Sequence, residues 1–313
     1  MSSRTESRKA PASLALFGDR PVPTAIGGAL CIAFSAVLVK LSEVSPSTAA
    51  VFRCAYALPA LGALAYYERK RYGARTRRER AIALIAGVFF AADLIFWHHA
   101  IEEVGAGLAT VLGNTQVVFV AVLAWALLSE RPDGGVLVAV PVVMGGVVLI
   151  SGVFGADPYG DDPALGVLFG ILTALAYSGF LLVLRRGNRD TRRPAGPLFD
   201  ATLSGAIGSL AAGLLLGDVD VVPSWPAHGW LILLALTSQV VGWLLISVSL
   251  PRLPAALTSV LLTLQPAGSL LLGIVLLSEA PSAWQLGGVL VILCGLLITT
   301  SRRRGDGEIL LPE

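Results

Sequence analysis

The sequence predicts an all-α integral membrane protein of ten transmembrane helices, built as two inverted five-helix repeats. Three observations predict it. The apolar residues fall in runs of about 20, the length that crosses about 30 Å of hydrocarbon at 1.5 Å per residue. Lys and Arg gather on alternate links between those runs, and two stretches offset by 149 positions carry the same motif.

Composition sets the class first. The 313 residues are 55% hydrophobic and only 14% charged, with a mean hydropathy of +0.76. A soluble domain carries roughly 25% charged residues, so the departure is toward the membrane. A net charge of +2 argues against a nucleic-acid partner. Cys31, Cys54 and Cys294 are odd in number and lie inside apolar runs, which argues against a disulfide framework. Residues 1–22 are polar, with Arg4, Arg8, Lys9 and Arg20, and lack a clean apolar core or cleavage site. They read as a cytoplasmic tail.

The spans are expected at 23–42, 46–67, 80–100, 105–128, 134–154, 163–184, 196–217, 227–250, 253–277 and 283–301. Pro, Gly and charged residues mark the breaks, as in Ser129-Glu130-Arg131-Pro132, Gly155 to Pro163, Gly217 to His228 and Ser278-Glu279-Ala280-Pro281. Only Leu250-Pro251-Arg252-Leu253-Pro254 separates spans eight and nine.

Orientation follows from the basic residues. With a cytoplasmic N-terminus, 21 of the 23 Lys and Arg fall on inner segments, including those in 69–80, 185–193 and 302–304. Lys40 and Arg53 are the exceptions, while Glu43, Glu102, Glu103, Asp157, Asp161, Asp162, Asp218 and Asp220 fall on the outer side. The positive-inside rule therefore places both termini, including the tail 302–313, in the cytoplasm of a multi-pass protein of the cell (inner) membrane. The basic runs read as topology determinants near anionic headgroups rather than partner sites.

The repeat is explicit. Gly107-Leu108-Ala109-Thr110-Val111-Leu112, Gln116 and Leu127 to Pro132 match Ala256-Leu257-Thr258-Ser259-Val260-Leu261, Gln265 and Leu276 to Pro281. At offset 143, Ala33-Phe34-Ser35-Ala36 matches Ala176-Tyr177-Ser178-Gly179. Span four thus corresponds to nine and span one to six, giving repeat units of 23–154 and 163–301. An odd number of helices per unit inverts the second copy, a device recurrent in secondary transporters.

Leu112-Gly113-Asn114-Thr115-Gln116-Val117-Val118-Phe119, the Ser129 to Pro132 turn with its echo at Ser278 to Pro281, and Val51-Phe52-Arg53 resemble the drug/metabolite transporter superfamily, specifically its ten-helix EamA-type members. The resemblance spans roughly residues 23–301. It implies a secondary transporter exporting a small metabolite, such as an amino acid or related amine, by alternating access. One departure is Val117, where a proline is often seen; the second copy keeps it as Pro266.

Polar residues inside spans nominate a substrate site. An ionised group in the bilayer costs about 2.5–3.5 kcal/mol on insertion scales, so it faces a partner or an aqueous cavity. Arg53 and Asp93 each lie about seven residues from the outer end of their spans, roughly 10 Å deep. Two compatible readings are open: an ion pair fixing spans two and three, or Arg53 for a substrate carboxylate and Asp93 for an amine or a proton. Trp97 follows Asp93 by four residues on the same face, suiting an ammonium or aromatic solute or plain helix packing. Asn114 and Gln116 are two apart, about 200° on a continuous helix, so only one can face a cavity. Gln116 is favoured because its repeat mate Gln265 is also an amide, with hydrogen bonding between helices as the equal alternative for both. Gln239, Trp243 and Tyr177 complete the candidate set.

Other residues read as structural. His98 and His99 point about 100° apart, and no third metal ligand is placed by spacing, so no metal is implied. His99 can stack over Glu103. Glu130 and Glu279 sit at helix ends and read as turn or capping residues. Ala201, Gly205, Ser209 and Gly213 recur every four residues, allowing close helix approach.

No cofactor is implied, since neither a Walker lysine motif nor His-Glu-x-x-His occurs. An enzyme is not expected, because no nucleophile stands with a base. A passive channel or a lipid-handling or scaffold protein is the alternative. The partners expected are a small-molecule substrate and the lipid bilayer, with a homodimer left open.

Overall fold

The computed structural model describes residues 20–128, 134–154, 157–187, 192–222, 224–249, 253 and 261–301. Both tails, the Ser129 to Pro132 turn, Arg252 and the 256–260 part of the repeat motif lie outside the described residues. Among the described residues all regular structure is helical.

The helices run α1 (Pro21–Ser42), α2 (Pro46–Tyr72), α3 (Arg77–Asn114), α4 (Gln116–Leu128), α5 (Gly134–Ile150), α6 (Pro163–Gly187) and α7 (Ala195–Leu216). Then come α8 (Ala227–Leu234), a π-helical stretch (Ala235–Gly242), α9 (Trp243–Ser249), α10 (Leu264–Leu277) and α11 (Ala283–Ser301). Six stretches are long and apolar enough to cross a membrane, including Arg77–Leu123 and Ala227–Ser249 taken through their irregularities. Gly134–Ile150, Leu264–Leu277 and Ala283–Ile298 are shorter apolar helices.

Local chemistry explains the starts. Pro occupies the first turn of α1 and α2, where a missing N–H costs nothing. Thr76 and Glu79 form a reciprocal capping box at α3, with Thr76 N–H donating to Glu79 at 2.7 Å and Glu79 N–H donating to Thr76 at 3.2 Å.

Two breaks differ from the expected spans. The third and fourth were expected as 80–100 and 105–128 with a link between; the helix instead continues to a single break at Gly105, φ 84° and ψ 167°. A side chain there would meet Glu279 Oε1 at 2.7 Å, so only glycine fits both the angle and the space. The second break is at Thr115, between α3 and α4. No proline is needed for it: Thr115 Oγ1 donates to Leu112 O at 2.6 Å, and Ser178 Oγ donates to Gln116 O at 3.2 Å.

Packing relies on small residues, because lipid tails are as apolar as leucine and helices associate through close contact. The Ala201, Gly205, Ser209, Gly213 stripe of α7 is buried as expected. A Cβ at Gly87 of α3 would come within 2.3 Å of Ala201 O, so these backbones nearly touch. The α5–α11 pair crosses at Gly146 and Gly288 in the same way. Outward-facing positions are apolar: Ile207, Leu214, Leu271 and Leu290 are all more than half exposed.

Carboxylates at helix ends cap the starts of other helices. Glu279, just past α10, accepts from Ala106 N at 2.5 Å and Gly107 N at 3.1 Å, where the helix resumes after Gly105. Glu279 is thus a cap, but of a distant helix start. Glu68 near the end of α2 accepts from Ala195 N at 2.9 Å and Gly196 N at 2.8 Å, the first residues of α7. Asp218, just past α7, accepts in return from Ser47 N at the start of α2 at 3.3 Å. Each places negative charge on the positive end of a helix dipole.

Glu279→Ala should leave two buried N–H groups unpaired and cost about 2 kcal/mol or more. Thermal unfolding in one detergent checks this; Glu279→Gln, which keeps an accepting oxygen, should lose less.

Candidate functional site

A cavity lies where α1, α2, α3, α6, α9 and α10 converge. Arg53 comes from α2, Asp93 and Trp97 from α3, Asn114 from the end of α3, Tyr177 from α6, Trp243 from α9 and Gln265 from α10. A second lobe shares Asn114, Tyr177, Trp243 and Gln265 and adds Gln116 with Val117, Leu181, Ile246, Leu262 and Leu296. The two overlapping lobes have cavity volumes of about 80 Å³ and about 150 Å³, smaller than a typical drug-sized site and open on one side. The first lobe carries both charged groups beside Phe90, Leu94, Trp97 and Trp243, and the second has no charged side chain and is half aliphatic.

Arg53 is only 4% exposed, and its environment explains how a guanidinium is tolerated there. Its Nε donates to Gln239 Oε1 at 3.1 Å, and its guanidinium lies 5.5 Å from the centre of the Trp97 ring. Gln239 is wholly buried and in turn donates from Nε2 to Thr202 Oγ1 at 3.1 Å. Gln239 therefore stands behind Arg53 rather than on the cavity wall. It comes from the middle of the π-helical stretch, a backbone form that recurs at functional sites.

The direct Arg53–Asp93 ion pair suggested by matching depth is not formed. Asp93, 8% exposed, makes no hydrogen bond or ion pair within 4.0 Å among the described residues, though both charges line one lobe. The reason is that Gln239 and the Trp97 ring hold the guanidinium on their side of the cavity.

The amides depart from expectation in a second way. Asn114 and Gln116 both line the second lobe. Two positions lie 200° apart only on one continuous helix, and this helix turns at Thr115. Asn114 Nδ2 donates back to Thr110 O at 2.8 Å.

Tyr177 and Trp243 belong to an aromatic wall with Phe180; ring centres are 6.1 Å apart for Tyr177–Trp243 and 5.7 Å for Phe180–Trp243. The Trp243 indole N–H and the Thr173 hydroxyl, both from cavity-lining residues, are buried without a partner among the described residues. Unsatisfied donors around an open space are what a polar solute would complete.

Sequence reasoning missed Thr202, Thr173, Thr110 and Phe90. Thr202 lies beside the small-residue stripe, and Thr110 lies inside the repeat motif; those signals marked packing and symmetry, not a site.

The histidines stay apart. His98 Nδ1 contacts Pro46 O at 3.1 Å, tying α3 to the start of α2. His99 stacks on Phe169 at 5.1 Å and approaches Glu102 at 3.7 Å, one residue before the expected Glu103.

The family model described as the EamA-like transporter family matches the chain twice, over residues 20–152 and 164–301. No curated protein matches. A solved structure described as "Crystal structure of protein" superposes with a TM-score of 0.60 at 19% identity, covering 95% of this chain and 100% of that one, which is a likeness of fold.

Proposed function

The chain belongs to the EamA-like transporter family, and on that premise we propose that it exports a small metabolite with a carboxylate, an amine or both by alternating access. The observation that carries the reading is the cavity: a guanidinium and a carboxylate face one space without pairing, beside an apolar lobe. Arg53 takes a substrate carboxylate through its two Nη groups, Asp93 takes an ammonium or a proton, and the aromatic wall shelters both.

In this reading the chain has ten spans in two inverted repeats, 23–154 and 163–301, with both termini in the cytoplasm. The carboxylate caps support the inversion. Glu68 at one end of α2 caps α7, and Asp218 at the opposite end of α7 caps α2. Two helices that cap one another head to tail are related as inverted mates should be. Glu279 of the ninth span capping the fourth belongs to the same scheme. Cavity walls come from both repeats, so rocking one against the other opens the site to either side.

The test is counterflow. Purified protein in liposomes loaded with unlabelled amino acid or amine should accumulate the labelled solute transiently. Rapid equilibration of label without an overshoot would point to a channel, and no movement of any solute in a broad panel would sink the transport reading.

A further inference from the structure

A second concave site lies away from the substrate cavity, in a groove between the C-terminal part of α2 and the N-terminal part of α7. It has a volume of about 290 Å³ and is lined at one end by Arg69, Arg75, Arg80 and Arg193. From its position and chemistry we infer that this groove binds one anionic phospholipid, with the phosphate on the arginines and an acyl chain along α2.

Two carboxylates, Glu68 and Asp200, lie among the four guanidiniums. Glu68 is committed to the backbone N–H groups of Ala195 and Gly196. Asp200 is shared, with Arg75 Nη2 at 2.5 Å and Arg80 Nε at 3.5 Å. Among the described residues the groove thus sets four guanidiniums against two carboxylates. Two further guanidiniums, Arg71 and Arg192, lie over the Tyr72 ring at 5.4 Å and 5.6 Å.

The second observation concerns Arg75. Its Nη2 is held by Gly196 O at 2.7 Å as well as by Asp200, which fixes the guanidinium plane. Its Nη1 is buried and has no hydrogen-bond partner among the described residues. A buried N–H donor of a cation left without an acceptor is costly, and a phosphate oxygen in the groove would supply one.

The third is the floor. Gly62, Ala65, Tyr66 and Arg69 recur at helical spacing on one face of α2. Gly62 lies two turns, about 10 Å, from Arg69 along the helix axis, toward the middle of the span. Phe199 of α7 closes the groove so tightly that a Cβ at Gly62 would touch its ring at 3.2 Å, and Tyr66 is 69% exposed at the rim. Basic at the headgroup end and apolar toward the bilayer centre, the groove suits a whole lipid better than a free anion.

The experiment is thermal unfolding and native mass spectrometry of delipidated full-length protein, with phosphatidylglycerol, phosphatidylcholine and inorganic phosphate added separately. Phosphatidylglycerol should stabilise the protein and remain bound one to one, with about tenfold or more preference over phosphatidylcholine. The double variant Arg69→Gln with Arg193→Gln should lose that preference. The pair Arg77→Gln and Arg78→Gln, exposed and outside the groove, removes the same charge and should keep it. Equal binding of the two lipids, equal loss in the control pair, or equal stabilisation by inorganic phosphate would each overturn the proposal. Should the double variant fail to fold, Phe199→Trp, which fills the floor, should displace the lipid; retained one-to-one binding would equally overturn it.

Discussion

Arg53→Ala is expected to abolish solute exchange, by at least about a hundredfold, while leaving the protein folded. The guanidinium is held by Gln239 through Nε and by the Trp97 face, which leaves the remaining N–H donors for a bound carboxylate. A hydrogen bond to a charged group contributes about 1.5–3 kcal/mol, and two such bonds make a hundredfold effect modest at about 1.4 kcal/mol per factor of ten. Folding should survive, because relief of the guanidinium's desolvation cost offsets the buried Gln239 oxygen left without its donor. Arg53→Lys keeps the charge but not the planar fork, so exchange should stay at least about tenfold low. Counterflow rates, normalised to reconstituted protein, check both. Normal exchange in Arg53→Ala would strike Arg53 from the site.

Asp93→Asn should lower exchange about tenfold or more and remove its response to an imposed pH gradient. Asp93 lines the same lobe as Arg53 yet has no hydrogen-bonded partner among the described residues. In a low-dielectric site a carboxyl is stable either facing a cation or holding a proton, and alternation between the two is how solute and proton movements couple. Asparagine preserves the shape and forbids both states. The measurement is counterflow with and without a pH step across the liposome membrane. A variant with wild-type rate and wild-type pH response would show that Asp93 takes no part.

The helices were legible because a span is a local property. About 20 apolar residues, a proline in the first turn and a basic flank need no knowledge of the rest of the chain. Arg53 and Asp93 were legible for a related reason: a charge inside an apolar run is conspicuous before any neighbour is known. The aromatic and amide candidates followed from spacing, and most of them line one cavity.

The details that spacing misjudged all depend on residues far away in the chain. The link between the third and fourth helices shrinks to Gly105 because Glu279, more than 170 positions later, caps the restart. Asn114 and Gln116 share a lobe because the helix turns at Thr115 and Ser178 takes up the Gln116 carbonyl. Arg53 turns from Asp93 toward Gln239 because a π-helical stretch brings that amide, anchored on Thr202, against it.

By itself the sequence determined that this chain crosses a membrane repeatedly and which charges had to find a purpose inside. Those follow from transfer free energy, which is summed along the chain. Only the tertiary structure decided who partners those charges, where the helices break, and that an arginine-rimmed groove lies between α2 and α7. Those follow from hydrogen bonds and close contacts between distant residues, and a local pattern carries no record of them.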